Sequence, residues 1–152
     1  MRLSMSLYLS LSLVTTIALF QKPAHAATHP TDFAGLIAQQ SEATGVPSNL
    51  IEAVITVESG WRSTALNGSS IGLMQITPGT ATLLGFRGPV KDLFNPETNI
   101  RLGVSYLAMA YRLAEGDLCA TVTRYQSGLE ATRPNAANRA YCKKMKALLA
   151  SS

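Results

Sequence analysis

Five glycines divide this sequence. Gly45, Gly60, Gly85, Gly116 and Gly128 each stand just past a stretch read as helical from its apolar spacing or its capping residues. A glycine there ends a helix, because it enters the left-handed backbone conformation at little steric cost. Residues that cap helices open the same stretches. Asp32 is expected to cap a helix to about Thr44, and Ser48 one from Asn49 to Ser59. Thr77-Pro78 opens a short helix, with proline at its first position, and Gly85 ends it. Asn95-Pro96-Glu97 opens the longest, to about Glu115. Asp117 caps the next, which ends at Gly128, and a last helix is expected from about Ala136 to Leu149. Arg62 to Ser70 is rich in Ser, Thr, Asn and Gly, and Phe86 to Phe94 carries Gly88-Pro89, so both read as loops. Strand signals are nearly absent. The expected fold is therefore mainly α, in one domain.

The amino end stands outside that domain. Met1-Arg2 is weakly positive, Leu7 to Phe20 is apolar apart from Ser, Thr and one Tyr, and Ala24-His25-Ala26 places small residues at a cleavage site. That is the layout of a secretory signal peptide. The apolar run is about 14 residues, against roughly 20 for a membrane span. Residues 1–26 are thus expected to be removed, leaving 27–152 periplasmic or secreted, without a stable membrane anchor. Arg2 and Lys22 leave too, so the 13 Lys and Arg of the chain fall to 11, against 9 Asp and Glu. A net charge near +2 is too mild and too scattered for nucleic-acid binding.

The chain has two cysteines, Cys119 and Cys142. An even pair in an exported chain is expected to form a disulfide. His25 leaves with the signal and His29 sits in the leader, so a zinc site has no support, and no cofactor is implied.

Glu58 is the first residue with chemical promise. Leu50, Ile51, Val54, Ile55 and Val57 mark the apolar stripe of its helix, and Glu58 falls four residues after Val54, in the last turn. A carboxylate on an apolar face loses hydration, and a helix C-terminus is partially negative; both raise its pKa. A carboxyl still protonated near neutral pH can donate to a leaving oxygen. Gly72-Leu73-Met74-Gln75-Ile76 follows the polar loop. Gln75 can donate and accept hydrogen bonds, Ser70 offers a hydroxyl, and Met74 an adaptable apolar surface. Arg124-Tyr125-Gln126-Ser127-Gly128 closes a helix and offers the Tyr125 hydroxyl. Trp61, the single Trp, is expected to pack the helix exit rather than stack on a sugar.

In this order the three segments resemble the lysozyme-like domain of the soluble lytic transglycosylases. Glu58-Ser59 is similar to the family's catalytic Glu-Ser pair, and Gly72-Leu73-Met74-Gln75 to its Gly-Leu-Met-Gln segment. Asn95 to Ile100, with Gly103 and Tyr106-Leu107, resembles its helix start, and Tyr125 falls in its Ala-Tyr-Asn segment. The likeness covers about Val46 to Gly128. Gln126 departs from it by one methylene, Arg124 replaces a small residue, and Cys142 lies outside the general pattern.

The resemblance implies a lysozyme-like helical domain with a substrate groove that takes peptidoglycan glycan strands. It implies Glu58 as acid and base, with Ser59, Ser70, Met74, Gln75, Tyr125 and Gln126 near the substrate. One carboxyl would serve both steps and leave a 1,6-anhydro end. Two alternatives stay open: a hydrolytic muramidase, and a non-catalytic wall-binding accessory of a secretion or conjugation machine, which the chain resembles in size and export signal.

Overall fold

The computed structural model describes residues 33–151. The expected signal peptide, the leader and Asp32 lie outside these residues. In chain order come α1 (Ala34–Thr44), α2 (Ser48–Ser59), β1 (Leu66–Asn67), β2 (Ser70–Ile71), α3 (Pro78–Leu83), a 3-10 turn (Val90–Phe94), α4 (Pro96–Leu113), α5 (Leu118–Ser127) and α6 (Ala136–Ala150). No helix among the described residues is long and apolar enough to cross a membrane.

The capping logic holds at most helix starts. The side chains of Thr77, Asn95 and Asp117 accept from the backbone N–H groups of Thr80, Thr98 and Ala120. Asn135 does more: its side chain caps α6 while Asn138 bonds back to the Asn135 N–H, a reciprocal capping box. Ser48 is a correction. Pro47 occupies the cap position, with no side-chain bond, and its carbonyl accepts from Leu50 and Ile51, so the helix starts one residue early. Phe33 likewise precedes α1 without a side-chain cap. The longest helix stops at Leu113 because Glu115 and Gly116 both turn to positive φ, 52° and 81°.

Neither expected loop is featureless. Leu66–Asn67 pairs antiparallel with Ser70–Ile71 across a tight turn containing Gly68. Two-residue strands are too short to show a period of two in sequence. The second loop holds the 3-10 turn, whose Leu93 is fully buried.

α4 lies centrally. It packs on α1 and on α5, α5 packs on α6, and α6 returns to cover α2. Ile100, Leu102, Val104 and Leu107 of α4 meet Ile51, Val54 and Ile55 of α2 in one core, all of them 2 % exposed or less. Gly103 makes the close approach: a Cβ there would lie 2.6 Å from the Cβ of Met74. Cys119 of α5 and Cys142 of α6 are disulfide-bonded, with Cα atoms 5.2 Å apart.

Two stability tests follow from this packing. Gly103→Ala is expected to cost about 1–3 kcal/mol by overpacking against Met74, read by urea denaturation. Replacing both cysteines by serine releases a 23-residue separation, which the chain-entropy estimate puts at about 3 kcal/mol. Thermal unfolding should fall by about 10 °C, and the unreduced wild type should label with no thiol reagent. An unshifted midpoint would remove the bridge from the stability of the fold.

Candidate active site

The segment between Ile71 and Ile76 is held by its own backbone first. Ile71 and Ile76 exchange N–H···O bonds of 3.1 and 3.0 Å, pinching residues 72–75 into a tight loop. Gly72 has φ 76°, and a Cβ there would lie 2.8 Å from the Leu93 carbonyl, so only glycine fits. Gln75 also takes a left-handed φ of 50°, a strained choice for a non-glycine residue. The loop is buried, and its polar groups need partners. Asn99 of α4 supplies them: its Nδ2 donates to the carbonyls of Ile71 and Leu93, and its Oδ1 accepts from Met74 N–H, each at 2.8 Å. The Met74 carbonyl accepts from the Tyr125 hydroxyl at 2.8 Å. Tyr125 in turn lies against Tyr106, ring centroids 5.6 Å apart.

This scaffold forms one wall of a cleft of about 430 Å³, lined by Glu58, Asn67, Ser70, Gln75, Ile76, Thr77, Thr80, Tyr106, Tyr125, Gln126 and Gly128. Glu58, Asn67 and Gln75 also line an adjoining recess with Arg62, Thr64, Ala65 and Leu66. The groove therefore continues on both sides of Glu58, which is the single carboxylate in either lining set. Asp92 and Glu97 border a different hollow with Asn95 and Arg101. Among the described residues no group of three or more His, Cys, Asp or Glu is placed to hold a metal ion.

Glu58 sits half-buried in the last turn of α2. Burial raises its pKa above the ordinary 4.5, and a hydrogen bond from Tyr141 opposes the shift. Tyr141 Oη donates to Glu58 Oε1 at 2.9 Å. With Oε1 so occupied, Oε2 is the oxygen left to carry the proton. Burial and the Glu58 charge raise the Tyr141 pKa far above its ordinary 10, so this phenol remains a donor throughout the working pH range. Tyr125, buried beside Glu58, is raised for the same two reasons.

Of the seven site residues read from sequence, Glu58, Ser70, Gln75, Tyr125 and Gln126 line the cleft together. Ser59 and Met74 do not line it. Ser59 is buried and its hydroxyl bonds to the Ile55 carbonyl one turn back; Met74 is fully buried against Gly103. Tyr125 spends its hydroxyl on the Met74 carbonyl instead of a carboxyl. Trp61 packs as expected, stacked on Phe33 with centroids 6.3 Å apart, while its indole N–H donates to Thr56 Oγ1. Arg124 folds onto the Leu129 carbonyl and stays out of the cleft lining. Tyr141, Tyr106, Asn99 and Asn138 were not singled out for the site. For Asn138 and Tyr141 the one sequence signal is apolar spacing, in the buried stripe of α6 with Cys142 and Met145; Asn99 and Tyr106 stand in the segment that resembles the family's helix start.

A helical domain with an open cleft around one desolvated carboxyl group defines a lysozyme-like class. The sequence matches the transglycosylase SLT domain over residues 35–148, and the chain belongs to that family. It is 34% identical, over 103 residues, to "Peptidoglycan transglycosylase gp16" of Escherichia phage T7, a match covering 65% of this chain and 8% of that protein. Its fold is similar to an inactive mutant of the lytic transglycosylase Slt from Pseudomonas aeruginosa (TM-score 0.68, 24% identity, 78% of this chain and 23% of that one). It is likewise similar to the 70-kDa soluble lytic transglycosylase of Escherichia coli (TM-score 0.68, 22% identity, 76% and 23%). A complex of the 70-kDa soluble lytic transglycosylase with bulgecin A aligns with TM-score 0.61 at 25% identity, over 77% and 19%. The chain thus spans under a quarter of each of these proteins.

The raised Glu58 pKa has a sign that can be tested. Folding favours the protonated form, so between the unfolded and folded pKa values the native state binds more protons. Stability is therefore lost as pH rises through this window, and Glu58 contributes nothing to that loss below its unfolded pKa. Glu58→Gln should unfold at a higher temperature than wild type at neutral pH, and the gap should close near pH 4. Tyr141→Phe removes the opposing hydrogen bond, so the Glu58 titration, followed by carboxyl NMR, should move further up.

Proposed function

We propose that this chain is an exported lytic transglycosylase cleaving the β-1,4 bond between N-acetylmuramic acid and N-acetylglucosamine in peptidoglycan. One observation carries the reading: among the described residues Glu58 is the single carboxylate lining an open groove, and burial raises its pKa. Membership of the transglycosylase SLT family and the likeness to the phage peptidoglycan transglycosylase support the substrate class.

The protonated Glu58 donates to the glycosidic oxygen as the bond from the anomeric carbon to that oxygen breaks. The carboxylate left behind is stabilised by the Tyr141 hydroxyl. It then takes the proton of the muramyl 6-hydroxyl, whose oxygen attacks the anomeric carbon and closes a 1,6-anhydro ring. Glu58 ends protonated, ready for another cycle, and no water is consumed. Glycosidases that add water use two carboxylates, one as acid and one to activate water or bind the sugar. A cleft lined by one carboxylate favours the substrate's own hydroxyl. Ser70, Gln75, Tyr125 and Gln126 hold the strand along the groove.

Residues 1–26 act as the export signal in this reading, with the mature chain periplasmic or secreted. The Cys119–Cys142 bond suits an oxidising compartment.

Glu58→Gln keeps the size of the side chain and removes the acid. Wild type should clear a suspension of purified sacculi. The variant should still sediment with them and clear them at least 10²- to 10⁴-fold more slowly. Undiminished clearing would remove Glu58 from the chemistry.

A further inference from the structure

Gln126 stands where the resemblance expects an asparagine, and it is exposed at the rim of the cleft. A side-chain amide can offer a ligand either its carbonyl or its NH₂, two donors in place of an acceptor. Here the choice is made from behind. Asn138, 1 % exposed, is the third residue of α6 and half of its capping box. Its Oδ1 accepts from the Asn135 backbone N–H at 2.9 Å. A backbone N–H donates and never accepts, so the Asn138 oxygen has to lie on that side. Its Nδ2 is then turned the other way, where it donates to Gln126 Oε1 at 2.6 Å and to Ser127 Oγ at 2.9 Å. The Gln126 carbonyl is therefore occupied, and Nε2 is the end that remains for the cleft. Gln75 is set oppositely: its Nε2 donates to the Gly72 carbonyl at 2.9 Å, which leaves Oε1 for a ligand.

We propose that Asn138 is a positioning residue that fixes the polarity of Gln126, so that this rim presents N–H donors and selects an acceptor oxygen of the glycan. The helix cap, buried and chemically silent, thereby dictates specificity in the groove. Gln75 offers an acceptor to a sugar hydroxyl, and Gln126 offers donors to a sugar carbonyl or ether oxygen. The assignment of the ligand rests on the peptidoglycan reading; the amide polarity does not.

Asn138→Asp separates the two roles of Asn138. The carboxylate still accepts from the Asn135 N–H, and a negative charge suits a helix N-terminus. It cannot donate to Gln126, so Gln126 turns to donate to it and shows its carbonyl to the cleft. Gln126→Glu, on the exposed rim, removes the donors without touching the cap. With soluble uncrosslinked peptidoglycan, each variant should raise KM by about tenfold, the loss of one hydrogen bond, at unchanged kcat, and Gln126→Glu at an unchanged thermal midpoint as well. Unchanged KM in both, or a loss confined to kcat, would overturn the proposal. Should Asn138→Asp fail to fold, the Gln126→Glu result decides it. Should the wild type cleave no peptidoglycan, the function reading fails, and side-chain amide NMR decides the polarity. The Gln126 NH₂ protons should exchange freely in wild type and one should be protected in Asn138→Asp; protection already in wild type would contradict it.

Discussion

An irregular segment that enters a protein core brings unpaired N–H and C=O groups with it, and each costs free energy unless it finds a partner. Asn99 meets that requirement with one side chain. Its amide bonds to Met74 N–H and to the Ile71 and Leu93 carbonyls, all at 2.8 Å, in a site with no solvent exposure. The tight turn of residues 72–75, the burial of Met74 against Gly103 and the hydroxyl bond from Tyr125 to the Met74 carbonyl all depend on that arrangement. The cleft wall facing Glu58 is consequently rigid, although it belongs to neither helix nor sheet. Asn99 has no contact with the cleft, yet it determines where Gln75 stands.

Glu58 is governed by a balance of two opposed effects. Burial disfavours its charge, and the Tyr141 hydroxyl favours it. Desolvation is the larger, so the carboxyl keeps its proton to higher pH than an ordinary glutamate. The hydrogen bond strengthens once the proton has left, because a carboxylate accepts more strongly than a neutral carboxyl. A group with burial alone would be a poor base, and one with the hydrogen bond alone a poor acid. Having both suits the proposed role of giving a proton and then taking one back. The second partner comes from α6, and α6 is held to α5 by the disulfide next to Tyr141, at Cys142.

The helical frame was readable from local chemistry. Capping side chains at Thr77, Asn95 and Asp117 and glycines past the helix ends act within a few residues, so sequence carries them directly. The placement of Glu58 on the apolar face of α2 follows from helical spacing alone. What depends on distant crossings was not readable. Tyr141 lies 83 residues from Glu58, and nothing in its neighbourhood distinguishes it from a core tyrosine until α6 crosses α2. Ser59 and Met74 show the other side of this: each adjoins a residue that lines the cleft, yet its own side chain is buried. Adjacent residues on a helix or turn point in different directions, so proximity in sequence says little about which side chain meets a ligand. The capping residue Ser48 failed for a smaller reason, since Pro47 already supplies the extended geometry that starts the helix.

The proposed chemistry reduces to where the second oxygen comes from when the glycosidic bond breaks. In the proposed mechanism Glu58, the one carboxylate lining the groove among the described residues, has its proton returned by the sugar, and the muramyl 6-hydroxyl makes the new bond. Sacculi digested in water enriched in heavy oxygen, with the products resolved by mass spectrometry, report this directly. Muropeptides one water lighter than the reducing forms, with 1,6-anhydro ends and no heavy oxygen, are the expected product. Reducing ends that carry the heavy isotope would mean that water finishes the reaction and would contradict the single-carboxyl mechanism.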